Sequence, residues 1–176
     1  MIEWMLAEII NKEFEKVVGK GQYDSRKAMH VGFRMNTGDS SDQYRICHLY
    51  IFAPCNYVHI AVQEERIDEN NKRHVSPIKH LCYHDSCWRD SVQSFIFEHR
   101  DELGGFQSLL KLSDWYDVIT LTESEQKYLQ YLDRENHIRS FGTDNEKKDI
   151  AEKLKVNPFD ERSVWNKNRR QNNDKK

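Results

Sequence analysis

Residues 44–67 read YRICHLYIFAPCNYVHIAVQEERI. Two runs rich in β-branched and aromatic residues flank APCN, a short break carrying proline and asparagine. This pattern predicts a hairpin, with one strand over 44–53 and another over 57–67. The first run is apolar at odd and even positions alike, as expected of a central strand covered on both faces. The second places Val58, Ile60 and Val62 on one face.

The neighbouring segments extend this hairpin into a sheet. Upstream, Met29, Val31, Phe33 and Met35 alternate with His30, Gly32 and Arg34, which is strand spacing. NTGDSSDQ (36–43) separates that strand from the hairpin. Downstream, DENNK (68–72) is a turn and RHVSPIKHLCY (73–83) a fourth strand, where Pro77 demands an edge or a bulge. Strands joined by short turns pair antiparallel, so the expectation is a four-stranded antiparallel meander.

Helices surround it. Ile2, Met5, Leu6, Ile9, Ile10, Phe14 and Val17 make one apolar stripe over 2–18, with Trp4 off the stripe. Trp88, Val92, Phe95 and Ile96 line a helix over 86–103, which Gly104-Gly105 stops. Residues 106–121 fit a helix or a strand equally. Thr122-Glu123-Ser124-Glu125 and Thr143-Asp144-Asn145-Glu146 are capping boxes that open two further helices. The predicted fold class is therefore α+β: N-terminal helix, four-stranded antiparallel meander, covering helix, helical C-terminal half. One domain is expected over 1–158. Residues 159–176 are expected to form a polar, flexible tail.

A tight 53–57 turn and a 68–72 turn centred on Asn70 predict that Tyr50 faces Ile60 and that Ile60 faces His80. On that register Ile46, Tyr50, Phe52, Val58, Ile60, Val62, Ile78 and Cys82 make the core face. The other face gathers Cys47, Leu49, Ile51 and Leu81 with the polar set Arg45, Tyr57, His59, Gln63, Lys79 and Tyr83. Apolar walls with a few placed polar groups resemble a pocket lining.

Composition excludes some functions. The net charge of −2 rules out a chain-wide basic coat of the kind that drives non-specific nucleic-acid binding. No apolar run approaches the ~18 residues that span a bilayer, so no membrane partner is expected. MIEWMLAEIINKEFEK lacks the pattern of a secretory signal. A cytoplasmic location and free thiols at Cys47, Cys55, Cys82 and Cys87 are the corresponding expectations.

The densest chemistry lies in KHLCYHDSCW (79–88). Its four histidines and cysteines are crowded into eight positions, whereas structural zinc sites use two separated ligand pairs. Only His84 and Cys87, at the strand-to-helix turn, are metal candidates, with zinc the one cofactor considered and none expected. His59, His84 and Cys87 are the catalytic candidates: Cys87 near a helix start, where the dipole lowers thiol pKa, with His84 as its base. They do not complete a catalytic set, and catalysis is not the expected activity. Trp4, Trp115, Tyr116 and Trp165 are candidate partner anchors, because Trp and Tyr dominate interface energy. The expectation is a small binding module of regulator or inhibitor type that acts through a protein partner. One alternative is a small hydrolase or nuclease, metal-dependent through a His/Cys cluster. The other is a nucleic-acid binder using Lys20, Arg26 and Lys27 with the basic tail.

Overall fold

The computed structural model describes residues 2–18, 24–38, 41–54, 58–82, 88–101 and 116–160. The chain divides into two compact units, residues 1–122 and 123–176. The fold is α+β, with an antiparallel sheet.

In the first unit, helix α1 spans Ile2–Val18 and is followed by β1 (Lys27–Arg34), β2 (Tyr44–Phe52), β3 (His59–Ile67), β4 (Arg73–Val75), β5 (Lys79–Cys82), α2 (Trp88–Glu98) and β6 (Tyr116–Thr120). The strands run in the order β4-β3-β2-β1-β6, and β5 also pairs with β3. The expected meander of four becomes six strands among the described residues, for two local reasons. Pro77 has no N–H to give the ladder, so 73–83 splits into β4 and β5 around Ser76-Pro77-Ile78. The ambiguous 106–121 stretch contributes β6, which pairs with the free side of β1.

The β2–β3 register is one residue away from the expected one. Ile51 lies opposite Ile60, and Tyr50 opposite Ala61. Because side chains alternate, the slip exchanges the faces of β2 relative to β3. Cys47, Leu49 and Ile51 join Ile60 and Val62 on the core face, with Met29, Val31, Phe33 and Met35 from β1. Leu6, Ala7, Ile10 and Phe14 of α1 and Val92, Phe95 and Ile96 of α2 complete that core. Met5, expected in the α1 stripe, is 51% exposed at the edge of the buried arc. Tyr50, Phe52 and Ile46, expected in this core, are buried on the opposite face instead.

The β3–β4 turn is centred on Asn70 as expected, with Ile67 opposite Arg73. Asp68 organises it: its Oδ1 accepts from the backbone N–H of Asn70 and Lys72, and its Oδ2 lies 2.9 Å from His74 Nε2. The His74 bond, helped by these amides, holds the Asp68 carboxyl below the usual carboxylate range. Asn71 takes the left-handed backbone at φ 62°, which asparagine tolerates.

The second unit contains α3 (Glu123–Phe141) and α4 (Asp144–Lys153). Thr143 caps α4 as its sequence predicts, its hydroxyl accepting from Glu146 N–H at 3.2 Å. Phe159, expected at the start of the tail, is fully buried and packs on Tyr128, ring centroids 6.2 Å apart. Burial pushes the Tyr128 phenol up to about 12. Gly142 closes α3 with a 2.7 Å bond to the Ile138 carbonyl, and a β-carbon there would overlap the Ile138 side chain. Gly142→Ala is therefore expected to destabilise this unit by about 1–3 kcal/mol, read as a lowered helix-melting midpoint. An unchanged midpoint would contradict the close approach.

Candidate functional site

The sheet face opposite α1 and α2 carries most of the buried polar chemistry. His30, His48, His59, Gln63 and Glu65 are all at most 2% exposed. They come from three adjacent strands, and the β1–β2 and β2–β3 registers set them on neighbouring diagonals. His30 Nε2 lies 2.8 Å from His48 Nδ1, and His48 Nε2 lies 2.7 Å from Glu65 Oε2. The second Glu65 oxygen accepts from Arg73 Nε at 2.9 Å. Tyr50 stacks on His30, with centroids 4.7 Å apart and ring planes 10° from parallel.

This chain has a direction. A carboxylate only accepts, so His48 Nε2 carries the proton it gives to Glu65. With His48 neutral, its Nδ1 accepts and His30 Nε2 donates. Both His48 nitrogens and both Glu65 oxygens are then occupied. Arg73, 30% exposed at its side chain, links the buried end of the chain to solvent.

A second histidine pair lies at the β3–β5 junction. His80 is opposite Ala61, whereas Cys82 is opposite Ile60, so β5 carries one extra residue at Leu81. The register slips by one residue between β4 and β5, where Pro77 interrupts the ladder, and this sets His80 opposite Ala61 on the same face as His59. His59 Nδ1 and His80 Nε2 are 3.3 Å apart, and Phe52 packs on both rings.

The other face holds an open groove of about 370 Å³ above β3 and β5 and beside α2. Val62 and Phe95 line it with Leu81, which is 41% exposed. Lys79, Glu64 and Glu98 supply charge, His99 an imidazole, and Ser76, Ser91 and Ser94 hydroxyls. His99 Nδ1 bonds the Phe95 carbonyl at 2.9 Å and stacks on the Phe95 ring.

The expected sheet-face set does not come together. His59 and Gln63 share the polar face. Arg45 falls on the α-helical side with Cys47, and Lys79 falls there opposite Val62. Trp4 lies in α1 and Tyr116 in β6, but their side chains are outside the described residues, as are Tyr57, Tyr83, His84, Cys87, Trp115 and Trp165. Cys47 is buried. In the basic loop, Asp24 holds Arg26 through two bonds of 3.0 and 3.1 Å.

Sequence reading missed His30, His48, Glu65 and Arg73 as a unit. One signal was present: His30 alternates with the apolar Met29 and Val31. His48 gave none, because both faces of β2 read as apolar. Among the described residues, no helix is long and apolar enough to cross a membrane. Comparison with protein-family profiles, curated proteins and solved structures finds no match to this chain.

Proposed function

We propose that this chain is a binding module, of regulator or inhibitor type, that acts through a protein partner without catalysis of its own. The observation that carries this reading is the groove beside α2. Among the described strands β5 pairs with β3 alone. A strand edge beside a helix-walled groove suits an extended peptide, which adds main-chain bonds along the edge and sets alternate side chains into the groove.

The groove also defines the occupant. Leu81, Val62 and Phe95 offer an apolar seat. Glu64 and Glu98 against Lys79 leave the formal charge of the rim negative. The partner segment is therefore an extended peptide with an apolar anchor flanked by lysine or arginine. The polar face supports the non-catalytic half of the reading. A general base needs a free lone pair, and His48 must break a buried bond to provide one. The nucleic-acid alternative is the weaker one, since Asp24 already neutralises Arg26.

A photocrosslinking residue at Leu81, with one at exposed Lys12 as control, tests the proposal in lysate of the cells that make the protein. The expected result is an adduct from Leu81 alone, lost when Ser94→Trp fills the groove. The crosslinked segment, synthesised as a peptide, should bind the purified chain and lose affinity about tenfold or more with Leu81→Asp. Equal labelling from both positions, or peptide binding indifferent to both substitutions, would overturn it.

A further inference from the structure

We infer that His59 and His80 form a binding site for a single divalent transition-metal ion of the zinc class. This inference is independent of the proposed partner groove.

Two histidine pairs share one sheet face. His30 and His48 approach to 2.8 Å, an ordinary imidazole hydrogen bond, and His48 spends its other nitrogen on Glu65. His59 and His80 differ. Their facing nitrogens are 3.3 Å apart, a longer hydrogen bond than that of His30 and His48. Zinc binds histidine nitrogen at about 2.0–2.1 Å, and tetrahedral geometry then sets two such ligands about 3.3–3.4 Å from each other. The separation is that of two ligands sharing one ion. The rings meet at 73°, and because each lone pair lies in its own ring plane, an ion held by both would sit where the two planes intersect.

The fold builds this approach. The one-residue slip between β4 and β5 sets His80 opposite Ala61, on the face that His59 shares. Phe52 packs against both imidazoles, with centroids at 5.5 and 6.1 Å, and fixes their orientation. His59 is 1% exposed while His80 is only partly buried, so an ion reaches the pair from the β5 side. Two nitrogen ligands of borderline softness favour zinc, cobalt, nickel or copper over magnesium or calcium, which prefer oxygen. The remaining positions of the tetrahedron are left for water or further donors. A bound ion would tie β5 to β3 across the bulge.

The test uses the full chain, stripped with a chelator and titrated with Zn²⁺ alone and Co²⁺ alone. Calorimetry should show one equivalent of zinc bound. Cobalt should develop the intense visible bands of a tetrahedral ion. His80→Gln, at the more exposed partner, should weaken zinc binding beyond the roughly 10–100-fold that loss of a mere supporting group costs. His137→Gln, on exposed α3, should change neither readout. Imidazole ¹⁵N spectra of the unaltered protein give the same answer without a variant: zinc must shift His59 Nδ1 and His80 Nε2. Binding that survives His80→Gln unchanged, ¹⁵N shifts confined to other histidines, or no binding up to about 1 mM zinc overturns the assignment.

Discussion

Replacing Glu65 with alanine is expected to destabilise the first unit by about 1–3 kcal/mol, the cost of leaving a buried donor without its acceptor. The Glu65 oxygens satisfy His48 Nε2 at 2.7 Å and Arg73 Nε at 2.9 Å. Arg73 is partly exposed and can recover water, but His48 is fully buried. Its orphaned N–H therefore carries most of the loss. Glu65→Gln should cost less, because its amide oxygen still accepts one bond while its NH₂ meets the other donor. Denaturant unfolding followed by hydrogen exchange at β2 and β3 amides reports this unit separately from α3 and α4. A double-mutant cycle with His48→Ala should give a coupling of at least about 1 kcal/mol, since the two residues share one network. A Glu65→Ala cost below about 1 kcal/mol would mean that water reaches the chain and that its burial is not what holds it.

Replacing Phe33 with alanine should cost more, about 3–5 kcal/mol, by a different mechanism. Phe33 is fully buried in the core between the sheet and α2, its ring 5.9 Å from Phe95 and tilted 45°. Truncation removes apolar area from the core and leaves a cavity that flanking β1 cannot close, because both of its neighbours hold it in register. Phe33→Leu refills most of the volume and should cost markedly less. The aromatic contact itself should appear as about 0.5–1.5 kcal/mol in a Phe33/Phe95 cycle. The same exchange measurement separates the two cases. Phe33→Ala should accelerate exchange in α2 and β1, whereas Glu65→Ala acts first on β2 and β3. Equal costs for Phe33→Leu and Phe33→Ala would show that ring shape, and not volume, sets the stability of this core.

Local signals were legible where one segment suffices. Helix α1 has the predicted bounds, and Thr143 caps α4 because capping needs only four neighbouring residues. Pro77 announced the break between β4 and β5 through its missing donor. The β3–β4 turn also followed its sequence, because Asp68 bonds amides within four residues of itself.

Register was different in kind. Apolar side chains on both faces of β2 leave either face able to turn inward, so nothing local distinguishes Tyr50 opposite Ile60 from Tyr50 opposite Ala61. The choice falls to whichever face α1 and α2 cover, and that is a property of the packed unit. One residue of slip moved Cys47, Leu49 and Ile51 into the core and brought His48 beside His30 and Glu65. A second shift, between β4 and β5, carried His80 from the expected core face to His59. The sequence by itself determined α1, the first three strands and the capped α4, because those depend on near neighbours, and left 106–121 and the split of 73–83 into two strands open. Only the tertiary structure decided which histidines meet, because side chains alternate with period two and pairing across strands converts each single-residue shift into an exchange of faces.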